Sequence, residues 1–325
     1  MNTFRNPISP FSAPDPFMTY VPETGYYYAL FTRGSVLELF RSRHAADICT
    51  GESKVIYTPD GPRDGIWGDI WAPEMHRGNN SKWYIYTSGR AQEQPGEKRL
   101  FIMEALSDDP FGDWRFKCKP TPDVFSIDPT VYTAPNGQQF ICCSRVDHGQ
   151  VLDVCALDNP WTFGSRRSMI ARAEYGWELV PPYVGNAAIN EGAFFVENGS
   201  RLFIIYSGNG CWSDHYCLGV LEFTGGDRGD PDQMTNPKNW FKHDTPLFVM
   251  GNGVYGPGHA SFFRSPDGSE LWCAYHGMKE HNETVTPAPR YFHIQKVEFD
   301  QSGYPVMGEP AGYEADLVPP SGEEL

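Results

Sequence analysis

Residues 202–207 read LFIIYS, a run of large apolar side chains ending on a small hydroxyl residue, and a run of the same kind returns four more times. Residues 26–32 (YYYALFT), 83–88 (WYIYTS), 140–144 (FICCS) and 271–276 (LWCAYH) complete the set. Aromatic and β-branched residues at this density mark a buried strand. The last residues of the five runs, 32, 88, 144, 207 and 276, stand 56, 56, 63 and 69 positions apart, which divides the 325 residues into five similar units. A unit of about 60 residues is too long for a solenoid turn and suits one four-stranded propeller blade. The expected fold is therefore all-β, a five-bladed β-propeller.

Sixteen or seventeen positions before each run end stands a second recurrent feature: Asp15 in APDPF, Ala72 in WAPE, Asp128 in SIDPT, Glu191 in NEGAF and His259 in GPGHA. In a propeller the innermost strand of each blade starts near the axis, so these five positions are expected to converge at one end of the channel. Each aspartate taken singly reads as an ordinary turn opener before a strand. Three carboxylates in a common register read differently, because like charges brought together are costly unless a function or a cation balances them. Such a group suits glycosidic bond cleavage, in which one acid stays protonated for the leaving group and another is ionised to activate water. A third carboxylate can hold the acid protonated near neutral pH. Trp71 offers a flat apolar face for a sugar. His259 has no second His or Cys at ligand spacing, yet a hydrated hard cation such as calcium would relieve the crowded charge, so His259 is the candidate channel-cation contact.

The composition agrees with many short, turn-punctuated strands: 40% of residues are apolar, with 9 Trp, 17 Tyr, 21 Phe, 33 Gly and 28 Pro. Twenty-six Lys and Arg against 41 Asp and Glu leave a net charge of −15, which argues against nucleic acid and anionic membranes as partners. No apolar run approaches the roughly 20 residues that cross a bilayer. The first ten residues lack the apolar core of a signal peptide, so the chain reads as cytoplasmic or as an extracellular protein whose leader has been removed. Eight cysteines form no CxxC pair and read mostly as buried thiols, with Cys211 and Cys217 close enough in sequence for a local disulfide. Polar stretches at 58–65, 92–98 and 225–237 read as surface loops. One catalytic domain spanning 1–325 is expected, with a frayed tail at 319–325, acting as a monomer. Eight amphipathic helices for a TIM barrel are missing, as are Gly-rich phosphate loops and HExxH.

In these motifs the chain resembles glycoside hydrolase family 43, five-bladed propeller enzymes acting on arabinose- and xylose-containing polysaccharides. The likeness runs through APDPF, WAPEMH, SIDPTVY, NEGAFF, YGPGHASFF and the closing RYFHIQKVEFDQSGYPV, in the family's order. It implies a general base at Asp15, an orienting and pKa-modulating carboxylate at Asp128 and a general acid at Glu191, acting with inversion. It also implies sugar contacts from Trp71, Ala72 and Arg290 in the first subsite, and a cation or water cluster near His259, with no cofactor needed for catalysis. The blocks SKWYIYTSG, DNPWTF, YGWELVPP, CWSDHYCLG and GPGHASFFRSPDGSELWCAYHG are most similar to the exo-acting α-L-arabinofuranosidases that trim arabinan, whose substrate is an arabinose-containing oligo- or polysaccharide. β-Xylosidase and endo-arabinanase activities occur in the same family. A non-catalytic sugar-binding propeller is the reading from another class. The related fructan hydrolases would show Asn-Asp-Pro-Asn and Glu-Cys where this chain has Pro14-Asp15-Pro16-Phe17 and Glu191-Gly192.

Overall fold

Each of the five aromatic-rich runs folds as the second strand of a four-stranded antiparallel sheet in the computed structural model, which describes residues 3–93, 96–120, 126–181 and 188–323. The first blade holds β1 (Phe17–Val21), β2 (Tyr26–Leu30), β3 (Leu37–Ser42) and β4 (Glu52–Tyr57). The second holds β5 (Trp71–Arg77), β6 (Trp83–Arg90), β7 (Lys98–Ala105) and β8 (Trp114–Cys118). The third holds β9 (Ile127–Thr133), β10 (Gln139–Val146), β11 (Gln150–Asn159) and β12 (Thr162–Arg172). The fourth holds β13 (Asn190–Asn198), β14 (Arg201–Gly208), β15 (Cys217–Phe223) and β16 (Trp240–Lys242). The fifth holds β17 (Tyr255–Arg264), β18 (Leu271–Met278), β19 (Tyr291–Phe299) and β20 (Pro305–Val306). Strands neighbour one another in chain order in every sheet, and the sheets form a five-bladed, all-β propeller.

The second strands are apolar on both faces because both faces are covered by other blades. Successive side chains of a strand point opposite ways. Cys142 accordingly packs with Phe195, Ile204 and Tyr206 of the fourth blade, while Cys143 packs with Tyr84 and Tyr86 of the second. Tyr27 and Phe31 of the first blade meet Phe263 and Trp272 of the fifth, which closes the ring. All eight cysteines are free thiols, Cys211 and Cys217 among them.

The axial end of every innermost strand carries an extra residue, and β17 carries a second between Tyr255 and Gly258. Trp71 pairs with Ser88 but Glu74 with Tyr86; Ile127 pairs with Ser144 but Thr130 with Cys142. Glu191 pairs with Ser207 but Phe194 with Ile205, and Gly258 pairs with His276 but Ser261 with Ala274. In the first blade Thr32 donates its N–H to Pro14 O ahead of the Phe17–Leu30 pair. These are β-bulges, which bend a strand and re-aim its side chains. The residue after each paired position is left-handed: Asp15 (φ 57°), Ala72 (44°), Asp128 (54°), Gly192 (55°) and His259 (46°). The structural repeat therefore differs by one residue from the expected register in the fourth blade. Glu191 is the counterpart of Trp71 and Ile127, and Gly192 is the counterpart of Asp15 and Asp128. A Cβ at Gly192 would stand 3.0 Å from Cγ and Nδ1 of His259, so glycine takes the strained position and the carboxylate moves back by one.

The tail expected to fray is tied down as far as Glu323. Ser321 donates its N–H to Glu270, and the Glu323 carboxylate accepts from Ala45 N at 3.0 Å. Residues 324 and 325 lie outside the described residues, as do Gln94 and Pro95 in the loop expected at 92–98. The loops at 58–65 and 225–237 each contain one helical turn, Gly61–Asp64 and Pro231–Met234, both opened by a proline in the first turn, where no amide hydrogen is needed.

Candidate active site

The bulges explain why two sequence series keep one register: they are hydrogen-bonded to each other around the axis. Thr32 Oγ1 accepts from Ala72 N at 2.8 Å, Ser207 Oγ from His259 N at 2.8 Å, and His276 Nδ1 from Asp15 N at 3.1 Å. Ser144 Oγ donates to Asn190 O at 3.0 Å. The residue ending each repeated run thus clasps the inner strand of the following blade in four of the five cases. Ser88, the fifth, has no hydrogen-bond partner for its buried hydroxyl.

Within this ring Asp15, Asp128 and Glu191 come together on one cavity of about 450 Å³, whose wall includes Trp71, Ile127, Gln150, Cys211, Trp212 and Arg290. Asp15 is gripped from three sides. Arg290 donates to its Oδ1 at 2.8 Å, Thr32 Oγ1 to its Oδ2 at 2.6 Å, and His259 Nδ1 stands 3.4 Å away. Burial resists its ionisation, but the Arg290 guanidinium, then the neighbouring His259 and His276 and the Thr32 hydroxyl, together outweigh burial and hold the carboxyl far below the usual aspartate range. The other two acids lack such a partner. Asp128 accepts from Gly192 N at 3.2 Å and Glu191 from the Tyr216 hydroxyl at 3.1 Å. Burial raises both: for Asp128 the negative charges of Glu191 and Asp15 add to the rise, and for Glu191 that of Asp15 does. One carboxylate is thus kept charged while its two neighbours favour a proton. Such a split is what separate base and acid roles within one pocket require.

Trp71 is 40% exposed, and its indole has a cation beneath it. Lys98 Nζ lies 3.5 Å from the ring centroid, donates to Asp69 O at 2.6 Å and stands 3.8 Å from the Asp69 carboxylate. Lys98 is buried and is not part of the cavity wall, so it backs the ring face turned from the pocket. Burial lowers its ammonium to about 8.

One expected contact falls elsewhere. Ala72 is buried and absent from the cavity wall; its backbone N–H holds Thr32, which in turn holds Asp15. His259 lines the cavity, and among the described residues no three His, Cys, Asp or Glu side chains are grouped to hold an ion. Sequence reasoning passed over Thr32, Tyr216, His276 and Trp212. Thr32 and His276 were in view as the ends of repeated runs, and their polar side chains at a position otherwise filled by serine were the signal. Tyr216 and Trp212 sit in the blade-four connection after β14, where no periodicity points to the axis.

The profile of glycosyl hydrolases family 43 matches residues 4–305. An extracellular exo-alpha-(1->5)-L-arabinofuranosidase of Streptomyces chartreusis is 30% identical over 270 residues, covering 80% of this chain and 77% of that protein. A second, of Streptomyces avermitilis, is 28% identical over 333 residues, covering 98% of this chain and 65% of its relative. The solved α-L-arabinofuranosidase of Lactobacillus brevis superposes with a TM-score of 0.83 at 23% identity, covering 96% of this chain and 98% of that one, a likeness of fold. A profile match over nearly the whole chain shows the family: this chain belongs to the glycosyl hydrolases of family 43 and is a glycoside hydrolase.

Proposed function

We propose that the protein is an exo-acting α-L-arabinofuranosidase that removes α-L-arabinofuranosyl groups, from α-1,5-arabinan or from arabinose side chains, with inversion. The observation that carries the chemistry is the split among the three acids, with Asp15 held ionised beside Arg290 while Glu191 and Asp128 favour a proton. Asp15 takes a proton from a water on one face of the sugar. Glu191 gives its proton to the leaving oxygen on the other, its carboxyl steadied by Tyr216. Asp128 is the modulating carboxylate: it and Glu191 are buried close together, so ionising both at once is disfavoured. Trp71 supplies the apolar platform, and Arg290 serves both Asp15 and a sugar hydroxyl. The arabinoside preference is supported by the two Streptomyces relatives. His259 stays proposed as a contact for ordered water or a hydrated cation, and no step runs through an ion.

The test is the rate on an aryl α-L-arabinofuranoside beside an aryl β-D-xylopyranoside, with Glu191→Gln as blank. A strong arabinoside preference lost in the variant is expected, and proton NMR is expected to show the inverted anomer first. Preference for the xyloside would make the enzyme a β-xylosidase. Release from neither, with release from arabinan, would make it endo-acting; no release from any of them, with sugar binding retained, would make it a binding propeller.

A further inference from the structure

The block YGWE at 175–178 ends on Glu178, which is fully buried although it lies outside the cavity wall. Its carboxylate is saturated with donors. Oε2 accepts from Glu174 N at 2.9 Å and Tyr175 N at 3.0 Å. Oε1 accepts from the Tyr206 hydroxyl at 2.9 Å and from Asn190 Nδ2 at 2.8 Å. Lys242 Nζ, nearly as buried, stands 2.8 Å from both oxygens, and it also donates to Arg172 O at 2.6 Å and to Asn190 Oδ1 at 3.3 Å. Asn190 is therefore held at both ends of its amide by one ion pair, while its backbone oxygen accepts from Ser144.

A buried ion pair is a poor stability device, since apolar residues of equal volume do as well or better. What this pair does that leucine and methionine could not is grip the Asn190 amide. The residue after Asn190 is Glu191, and the β13 ladder is interrupted immediately beyond it, between Glu191 and Phe194. On its C-terminal side the bulge replaces regular pairing by the Gly192 N–H bond to Asp128 at 3.2 Å, so Glu191 takes its direction from Asn190 on its N-terminal side, from that bond and from Tyr216 at its tip. We propose that Glu178 and Lys242 are positioning residues for the general acid, acting through Asn190 to aim the Glu191 carboxyl at the leaving oxygen. The proposal rests on the reading of Glu191 as that acid.

A misaimed acid harms only substrates whose leaving group needs a proton. The full chain and its variants are compared on α-1,5-linked arabinobiose, whose leaving alkoxide must be protonated, and on 2,4-dinitrophenyl α-L-arabinofuranoside, whose leaving phenolate needs none. Glu191→Gln calibrates the contrast. Glu178→Gln and Lys242→Met are expected to lower kcat on arabinobiose by about 10- to 100-fold, with less than about a threefold loss on the dinitrophenyl glycoside and KM little changed. Asn190→Ala, which leaves the ion pair in place, is expected to give the same contrast and carries the test where a charge variant does not fold. Equal losses on both substrates would overturn the proposal and leave a structural role. Should Glu191→Gln itself show no contrast, the acid assignment fails first, and the two failures are told apart by that control. An enzyme that prefers xylosides is tested with xylobiose and the dinitrophenyl xyloside in the same way.

Discussion

At the scale of single residues, the two outer acids of the proposed mechanism are built for opposite charge states, and stability responds with opposite signs. The Glu191 carboxyl is raised to about 7 by burial and then by the Asp15 charge. Between the ordinary glutamate value and about 7 the folded protein binds more protons than the unfolded chain, so stability falls as pH rises through that window and is flat above it. Glu191→Gln is expected to be more stable than the parent by about 2 kcal/mol at pH 8, with the gain vanishing near pH 4; urea unfolding at both values checks it. Asp15→Asn leaves the Arg290 guanidinium without its partner and is expected to cost about 3 kcal/mol. Both variants are expected to lose nearly all activity. The same shift predicts that kcat/KM falls as pH rises through about 7, because the acid must carry its proton. Asp128→Asn removes the carboxyl that cannot readily ionise together with Glu191 and is expected to move that limb to lower pH, by about one unit, with a lower plateau. Lys98 makes a separate prediction. Its ammonium under Trp71 is partly desolvated, and Lys98→Met is expected to raise KM for an aryl glycoside by about 3- to 10-fold with a smaller effect on kcat, while Lys98→Arg keeps most of the affinity.

The recurring element is the inner strand with its bulge, and there the chemistry is a consequence of backbone conformation. A left-handed residue with a side chain costs about 1–2 kcal/mol, and this chain places four of them around one axis, at Asp15, Ala72, Asp128 and His259. The inter-blade clasps from Thr32, Ser207 and His276 hold three of the strained amides in place. Gly192 is the position where a side chain would strike a neighbour, the His259 ring. Gly192→Ala is expected to lower stability by about 2 kcal/mol and kcat by at least about tenfold, since the strand must shift at the residue next to Glu191; thermal melting and steady-state kinetics check both. Hairpin length accounts for the one slip between text and fold. Every bulge adds a single residue, but Phe194 and Ile205 of the fourth blade stand 11 positions apart, where Glu74 and Tyr86, or Thr130 and Cys142, stand 12 apart. Counting back 16 positions therefore finds Ala72 and Asp128 in the second and third blades but lands on Glu191 rather than Gly192 in the fourth, and only the register of β13 against β14 shows it.

Across the whole molecule, the site exists only when the ring is closed. Asp15, Trp71, Asp128, Glu191 and Arg290 line one cavity and arrive from five different blades or blade connections. Closure brings the segment before β1 onto the fifth blade: Ile8 N donates to Phe292 O, Ala13 N to Arg290 O, and Phe4 pairs with Leu317. Asn6 binds Ile294 at both its amide nitrogen and its oxygen, at 2.9 and 3.0 Å, while nearly fully buried. Asn6→Ala would strand both backbone groups of Ile294 and is expected to cost about 2–3 kcal/mol in urea unfolding. Arg5→Ala, which breaks exposed pairs with Glu314 and Asp316, is expected to change it by less than about 1 kcal/mol.

The amino-acid text by itself determined the fivefold repeat, the strand that carries it and the three carboxylates that the fold brings to one cavity, because burial on both faces demands unbroken apolar runs and a repeated backbone demands repeated spacing. It also carried the family, whose short motifs survive in order. Tertiary structure alone decided the partners of those acids. Arg290 reaches Asp15 across 275 residues, Tyr216 reaches Glu191 from a connection without periodicity, and Ala72 turned out to hold Thr32 rather than to face the cavity. A spacing rule reports where the backbone goes. Which proton a carboxyl keeps depends on burial and on the charges nearby, and those come from other blades only once the ring is closed.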